Sequence, residues 1–370
     1  MKNMNFFLGS ILIMTISTIA SEVDVNGYIK TGYQNQKTNS DDLNDFAIGG
    51  KVNIELKSDF GLSGGISIYG VNALYDKNNI GVPFYSTKND SYTILGEAYI
   101  KTKISKTKFI LGRQGIDSPY INMDDIGMIP NLFEGISMVS KDIKDTKITV
   151  AHFYKWSGVD SDTPEQFTRM NNKNGVQVFG AIYKGFKNSK LKAWFYNMED
   201  FATFNYFELN YDLKINNIDI ALAGQYSNQD YDNGDNSDIY GLAVEATYEN
   251  LGLNISYNNV DGVGANNSFG GGPFFTNSEH MTLPDAMDNG KALMIGASLD
   301  LSKFGLDNFT FGSNYLTLTR ENLNDITELD LVLGYDYDNL SLEIIYSDMQ
   351  DKSDDNNNFK NLRVFINYNF

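Results

Sequence analysis

Imidazole and thiol chemistry have little to work with in this chain. Its 370 residues include two His, His152 and His280, and no Cys. Nucleophilic catalysis needs a hydroxyl, thiol or amine beside a base. No Ser-centred motif accompanies either His, and His152 shares parity with Ile148 and Val150, so it reads as part of a structural face. The absence of Cys removes disulfides and thiolate sites. Two acidic tracts, DNGDNSD at 232–238 and DKSDDNNN at 351–358, carry oxygens that suit Ca²⁺. They lack the regular spacing of a coordination loop and read as solvated connections. No catalytic centre, metal site or cofactor site emerges. A formal charge of -18 argues against a nucleic-acid partner, because phosphate binding needs a clustered basic surface. What remains is the chemistry of fixed charge, placed at alternate positions along many segments.

Charge at every second position requires strands, whose side chains point alternately to opposite faces. In FELNYDLK, Phe207, Leu209, Tyr211 and Leu213 oppose Glu208, Asn210, Asp212 and Lys214. In ELDLVLGYDYD, Leu329, Leu331, Leu333, Tyr335 and Tyr337 oppose Glu328, Asp330, Gly334 and Asp336. The chain closes on NLRVFINYNF, with Leu362, Val364, Ile366, Tyr368 and Phe370 on one side and Arg363, Phe365, Asn367 and Asn369 on the other. Eighteen such runs are expected, at 22–35, 44–57, 60–72, 90–104, 107–115, 133–140, 145–156, 174–184, 188–197, 202–213, 216–227, 236–249, 251–260, 289–301, 307–319, 325–338, 340–349 and 358–370.

The connections sort into two classes. Tight turns rich in Asn, Asp and Gly (SDFG at 58–61, GFKN at 185–188, ENLG at 249–252) tolerate positive φ. They alternate with mostly longer loops at 73–89, 115–132, 157–173, 228–235, 261–288 and 350–357. Sorting turns to one rim and loops to the other is the habit of a transmembrane antiparallel β-barrel of the outer membrane. Tyr211, Tyr248, Tyr335, Tyr337 and Tyr368 lie beside the tight turns, where an interfacial aromatic girdle belongs. The apolar parity is then lipid-facing and the polar parity lines a wet lumen. No stretch after residue 21 has 18 consecutive apolar residues, so helical spans are not expected. Residues 1–20, with Lys2, an apolar run from Phe6 to Ile16 and the small residues around Thr18 and Ala20, read as a secretory signal peptide. Residues 21–370 read as one barrel domain.

On this parity the lumen-facing cations gather in the first half: Lys30, Lys51, Lys101, Lys103, Lys147, Lys155 and Lys192, with Arg363 on the last strand. Arg113 is counted with them, although its strand leaves open whether Arg113 or Gln114 faces inward. The acids gather in the second half: Glu208, Asp212, Asp219, Glu245, Asp300, Glu328, Asp330, Asp336 and Glu343. Opposed walls of unlike charge would set up a transverse field able to sort ions and dipolar solutes. The loop between the fifth and sixth strands, 115–132, is irregular and too apolar for water. It contains Asp117, Ser118, Pro119, Tyr120, Asn122, Asp124, Asp125, Met128 and Pro130, with Ile121, Met123, Ile126, Ile129 and Leu132 among them. In a barrel the shelter available to it is the lumen.

The segments GRQGIDSPYIN, DDIGMIPNLFEG and YKWSGVDSDTPEQF at 154–167, together with the leader, strand count and terminal Phe370, resemble the OprD-like family of Gram-negative outer-membrane porins. The resemblance implies an eighteen-stranded barrel, monomeric or weakly trimeric, set among outer-membrane lipid and lipopolysaccharide. Its third extracellular loop would fold inward, and it would pass small hydrophilic solutes such as ions, amino acids and small carboxylates. Residues 115–132 become the constriction. The family's run of pore-wall Arg has no counterpart here. The chain has four Arg, and Gly127 stands where many relatives carry one. A surface adhesin-like barrel and a barrel hydrolase are the rival readings. The first needs no open lumen, and the second needs an exposed nucleophile–His pair.

Overall fold

The computed structural model describes residues 21–76, 84–87, 90–124, 126–172 and 174–370. The expected leader and Asp125 lie outside the described residues. Eighteen antiparallel strands close into a barrel: β1 Glu22–Thr38, β2 Asp42–Lys57, β3 Leu62–Asp76, β4 Tyr92–Ile104, β5 Thr107–Gln114, β6 Leu132–Ser140, β7 Thr146–Ser157, β8 Val176–Tyr183, β9 Ser189–Met198, β10 Ala202–Ile215, β11 Ile218–Tyr231, β12 Ser237–Tyr248, β13 Leu251–Gly262, β14 Lys291–Asp300, β15 Phe309–Thr319, β16 Ile326–Tyr337, β17 Leu340–Asp351 and β18 Phe359–Asn369. Each strand pairs with the next, and β18 returns to β1 in the register Tyr28↔Asn369 to Thr38↔Phe359. A two-residue ribbon, Thr168–Arg169, adds to the upper end of β7. Closure leaves no unpaired sheet edge, as a strand-built membrane span requires.

Strand positions follow the alternation seen in the sequence, and the exposed face is the apolar one. Val23, Val25 and Ile29 on β1, Phe207 and Leu209 on β10, Leu251, Leu253 and Ile255 on β13, and Ile366 and Tyr368 on β18 are all exposed outward. The rim opposite the loops is built from turns that hold a residue at positive φ: Ser105, Asp145, Asn188, Asn216, Glu249, Asn308 and Asp338, with Gly61 at φ 80°. Tyr211, Tyr248, Tyr337 and Tyr368 stand outward beside that rim. At the other end of the wall the apolar rows end in Phe179, Phe195, Phe207, Tyr226, Tyr240, Tyr257 and Tyr315. The next outward positions are Gln177, Asn197, Asn205, Asn228, Asp238, Asn259 and Thr317. Two aromatic girdles therefore bracket an apolar band.

Candidate functional site: a bar across the lumen

The 115–131 segment leaves the wall at Gln114 and crosses the interior. Its first half docks on β9–β11. Tyr120 is fully buried, with its ring 5.1 Å from Phe204, 5.4 Å from Tyr196 and 6.2 Å from Tyr206. Ser227 Oγ gives its proton to the Asn205 carbonyl (2.8 Å), so the Tyr120 hydroxyl is the donor in its 2.6 Å bond to Ser227 and accepts from Gln229 Nε2 at 3.2 Å. A buried Tyr with both its ring and its hydroxyl satisfied is a firm anchor. Ser118 closes the preceding turn by donating from Oγ to the Ile121 carbonyl at 2.8 Å. Asp117 stays exposed and Pro119 is half-buried.

The second half docks a long way round the wall. Met128 and Ile129 are buried with Tyr69, Phe84 and Phe365. Gly32 on β1 makes the socket, since a Cβ there would lie 2.9 Å from Met128 Sδ. Lys30 Nζ donates to the Gly127 carbonyl at 2.6 Å, and Pro130 is buried beside the return to β6. The segment is thus a bar pinned at both ends by apolar burial. Asn122, Asp124 and Ile126 form its middle and face open space.

A second inward segment, 263–290, was expected only as a surface loop. It packs against the bar through a parallel bridge between Ile121 and Phe269 and through Phe269 N–H donating to the Tyr120 carbonyl at 3.0 Å. It also buries Phe274, Leu283 and Ala286 in the cluster that holds Tyr120, and adds polar anchors on the wall. Glu328 accepts from the backbone N–H of His280 (3.0 Å) and Met281 (2.7 Å). Asp330 accepts from Ser347 Oγ at 2.6 Å and also from Ser278 Oγ. Glu279 pairs with the buried Arg363. Gln225 accepts from Phe275 N–H at 3.0 Å, and Gln229 accepts from Asn266 N–H at 2.9 Å.

Between the middle of the bar, the 263–290 segment and the β15–β16 wall lies a cavity of about 600 Å³, lined by Asn122, Asp124, Asp160, Glu279, Asn314 and Asp330. A second, of about 410 Å³, is lined by Lys30, Asp336, Glu343, Phe365 and Asn367. Enclosure by the loops desolvates Asp160 and pushes its carboxyl up; hydrogen bonds with Asn131 and Asp124 pull partly against this. Burial likewise pushes the Glu279 carboxyl up, opposed by Arg363 and reinforced by Asp330 and Glu343. Burial and Arg363 lower His280 to about 3, so its ring is neutral and Nε2 accepts from Asn361 Nδ2 at 2.8 Å. His280 lies in the lumen and His152 on the outward parity of β7, so the two are not brought together.

The expected basic residues divide. Lys51 pairs with Glu97 (2.7 Å), Lys101 with Glu55 (2.6 Å) and Lys192 with Glu208 (2.7 Å), so these inward cations are met by inward carboxylates. Glu55, Glu97, Asp160 and Glu279 were not singled out from the sequence; the cross-strand register that brings them into place is not visible in one strand's pattern. Lys103 and Lys147 lie on the inward parity near the tight-turn rim, as do Asp219 and Glu245. Asp219 is joined there to Lys214. Arg113 must be moved. Gln114 and its partner Phe133 are buried inward, so the pair Arg113↔Glu134 faces outward, like Leu111↔Ile136 below it. Lys155 moves with it. The ladder shifts between Glu134 and Gly135, leaving Tyr154 unpaired and reversing the parity above Phe153.

An apolar exterior, a closed ladder and a polar-lined interior narrowed by a loop define a transmembrane diffusion pore. The sequence matches the description "outer membrane porin, OprD family" over residues 65–370, and the chain belongs to that family of Gram-negative outer-membrane porins. The fold is similar to that of OccAB4 of Acinetobacter baumannii (TM-score 0.82, 16% identity, 95% of this chain and 98% of that one). It is similar also to OccD3 (OpdP) of Pseudomonas aeruginosa (0.79, 16%, 95% and 92%) and to OpdK of Pseudomonas aeruginosa crystallised with vanillate (0.79, 14%, 95% and 99%). No protein of the curated set matches it.

Proposed function

We propose that this porin lets small hydrophilic solutes diffuse past the bar formed by residues 115–131, through the cavity between that bar and the 263–290 segment, with a preference for cations and for solutes that carry an ammonium group. The observation that supports this is the bar itself: two apolar ends fixed on distant parts of the wall leave a polar middle as the edge of the opening. The charge preference follows from the lining. Asp124, Asp160, Glu279 and Asp330 border the cavity, and Arg363 is bonded to Glu279 there. Carboxylates in a confined, low-dielectric passage raise the local cation concentration. Passage of this kind requires no reaction. Residues 1–20 fit a cleaved secretory leader.

Planar-bilayer recording tests the assignment. Deleting 120–128 is expected to raise single-channel conductance severalfold, and an unchanged conductance would remove the bar from the permeation path.

A further inference from the structure

Two of the chain's four Arg lie together on the outside of the barrel, with Lys155 between them. Arg113 Nε donates to Glu134 Oε2 at 2.8 Å, Lys155 Nζ lies 3.1 Å from Glu134 Oε1, and Lys155 pairs across the ribbon with Arg169. The guanidinium of Arg113 sits 4.1 Å from the centroid of the Phe167 ring, and its Nη1 donates to the Leu95 carbonyl at 2.9 Å. Two cations thus share one carboxylate and a third stands beside them, in a chain whose formal charge is -18. About a third of the Lys155 side chain is accessible, and Arg169 is exposed.

The height of this cluster on the wall is informative. Below it on the same face stand Leu111 and Ile136, 58% and 51% exposed. On β7 the outward row runs Ile148, Val150, His152 and then Lys155. The cluster is therefore the first charged layer above the apolar band, at the rim that carries the loops. Around most of the barrel that layer is Asn, Gln, Thr and Asp, whereas here it is basic. In the outer membrane the layer just above the acyl chains of the external leaflet holds the phosphorylated glucosamine headgroup of lipopolysaccharide.

We propose that Arg113, Lys155 and Arg169 form a docking site for a lipid A phosphate. Glu134 holds Arg113 and Lys155 in place while Arg169 and the free donors of Lys155 meet the phosphate oxygens. Guanidinium and ammonium donors suit that anion, and such charge-assisted bonds strengthen near the bilayer surface. The ring of Phe167 covers one face of Arg113 and leaves its edge for hydrogen bonding.

Delipidated, folded full-length porin would be titrated with bis-phosphorylated lipid A and followed by native mass spectrometry. Parallel titrations would use the same lipid with its phosphates removed, and inorganic phosphate as competitor. The double variant K155Q/R169Q, which leaves the Arg113–Glu134 pair intact, is expected to weaken lipid A binding about tenfold or more, while K155R/R169K keeps it. Heat-dependent gel mobility verifies that each variant is a closed barrel. Undiminished binding by K155Q/R169Q overturns the proposal. So does equal binding of the phosphate-free lipid, and so does displacement by millimolar inorganic phosphate, which would mark a site for the free anion.

Discussion

The two segments that fill the lumen are held by different mixtures of force. Residues 115–131 are pinned by apolar burial at both ends: Tyr120 and Ile121 at one, Met128 and Ile129 at the other. Residues 263–290 bury Phe274, Leu283 and Ala286 and in addition hang from polar side chains of the wall, namely Gln225, Gln229, Glu328, Asp330 and Arg363. The apolar docking derives its stability from area removed from water and is insensitive to the exact position of any one atom. The polar docking depends on groups whose desolvation is costly unless every partner is in place. One segment is thus a fixture of the barrel. The other adds to its buried side chains a set of individual bonds that can be lost one at a time.

Breaking the apolar anchor should have the largest effect. Tyr120→Ala removes a ring touching Tyr196, Phe204 and Tyr206 and takes from Gln229 one of its two acceptors, leaving the Asn266 carbonyl. A loss on the order of 3 kcal/mol is expected in denaturant unfolding from micelles, with a rise in conductance. Tyr120→Phe should lose only about 1 kcal/mol, the hydroxyl's share. Equal losses from the two substitutions would mean that the anchor is polar after all.

Glu328→Ala addresses the other segment. It removes the acceptor of two backbone N–H groups and is expected to cost about 1–3 kcal/mol locally. The wall ladder is untouched, so the barrel should stay folded while single-channel records gain flicker between two current levels. A quiet channel with unchanged conductance would show that the remaining bonds hold the 263–290 segment without it.

The smallest effect expected is on selectivity. Asp124→Asn with Asp160→Asn should move the reversal potential in a salt gradient toward anions, and the shift should shrink in molar salt, where the screening length is about 3 Å. Acid should imitate it. Asp160 and Glu279 carry raised carboxyls, so they take up protons at a higher pH than exposed acids. Cation preference is then expected to decline with falling pH before the ordinary carboxylate range, about 4, is reached. A preference that is constant down to that range would separate these two groups from the permeation path.

The difference between the segments also accounts for what could be read from the sequence. Tyr120, Ile121, Met128 and Ile129 in an irregular stretch announce a loop that cannot remain in water, and period-two alternation announces each strand. The 263–290 segment, rich in Gly, Asn and Ser, has the composition of a solvated loop; its burial depends on wall residues dozens of positions away. The ion pairs were hidden for the same reason, since Lys101 finds Glu55 only through the β2–β3–β4 register. Parity failed at one place, beside Tyr154, because one extra residue in a ladder reverses every side chain beyond it. Arg113 was ambiguous because β5 stops at Gln114, short of its neighbours. The side chain of Arg113 then takes over at the Leu95 carbonyl, where a longer β5 would have continued the ladder.

The bar also acts mechanically. A hollow cylinder of paired strands resists stretching along its ladder far better than flattening across it. A member fixed to β9–β11 at one end and to β1–β3 at the other is a tie rod, setting the roundness of the tube as well as its bore. Trimming residues 115–131 to make a wider pore for sensing large analytes would also release that tie. The wider tube would be the softer one, and its current noise would rise along with its conductance.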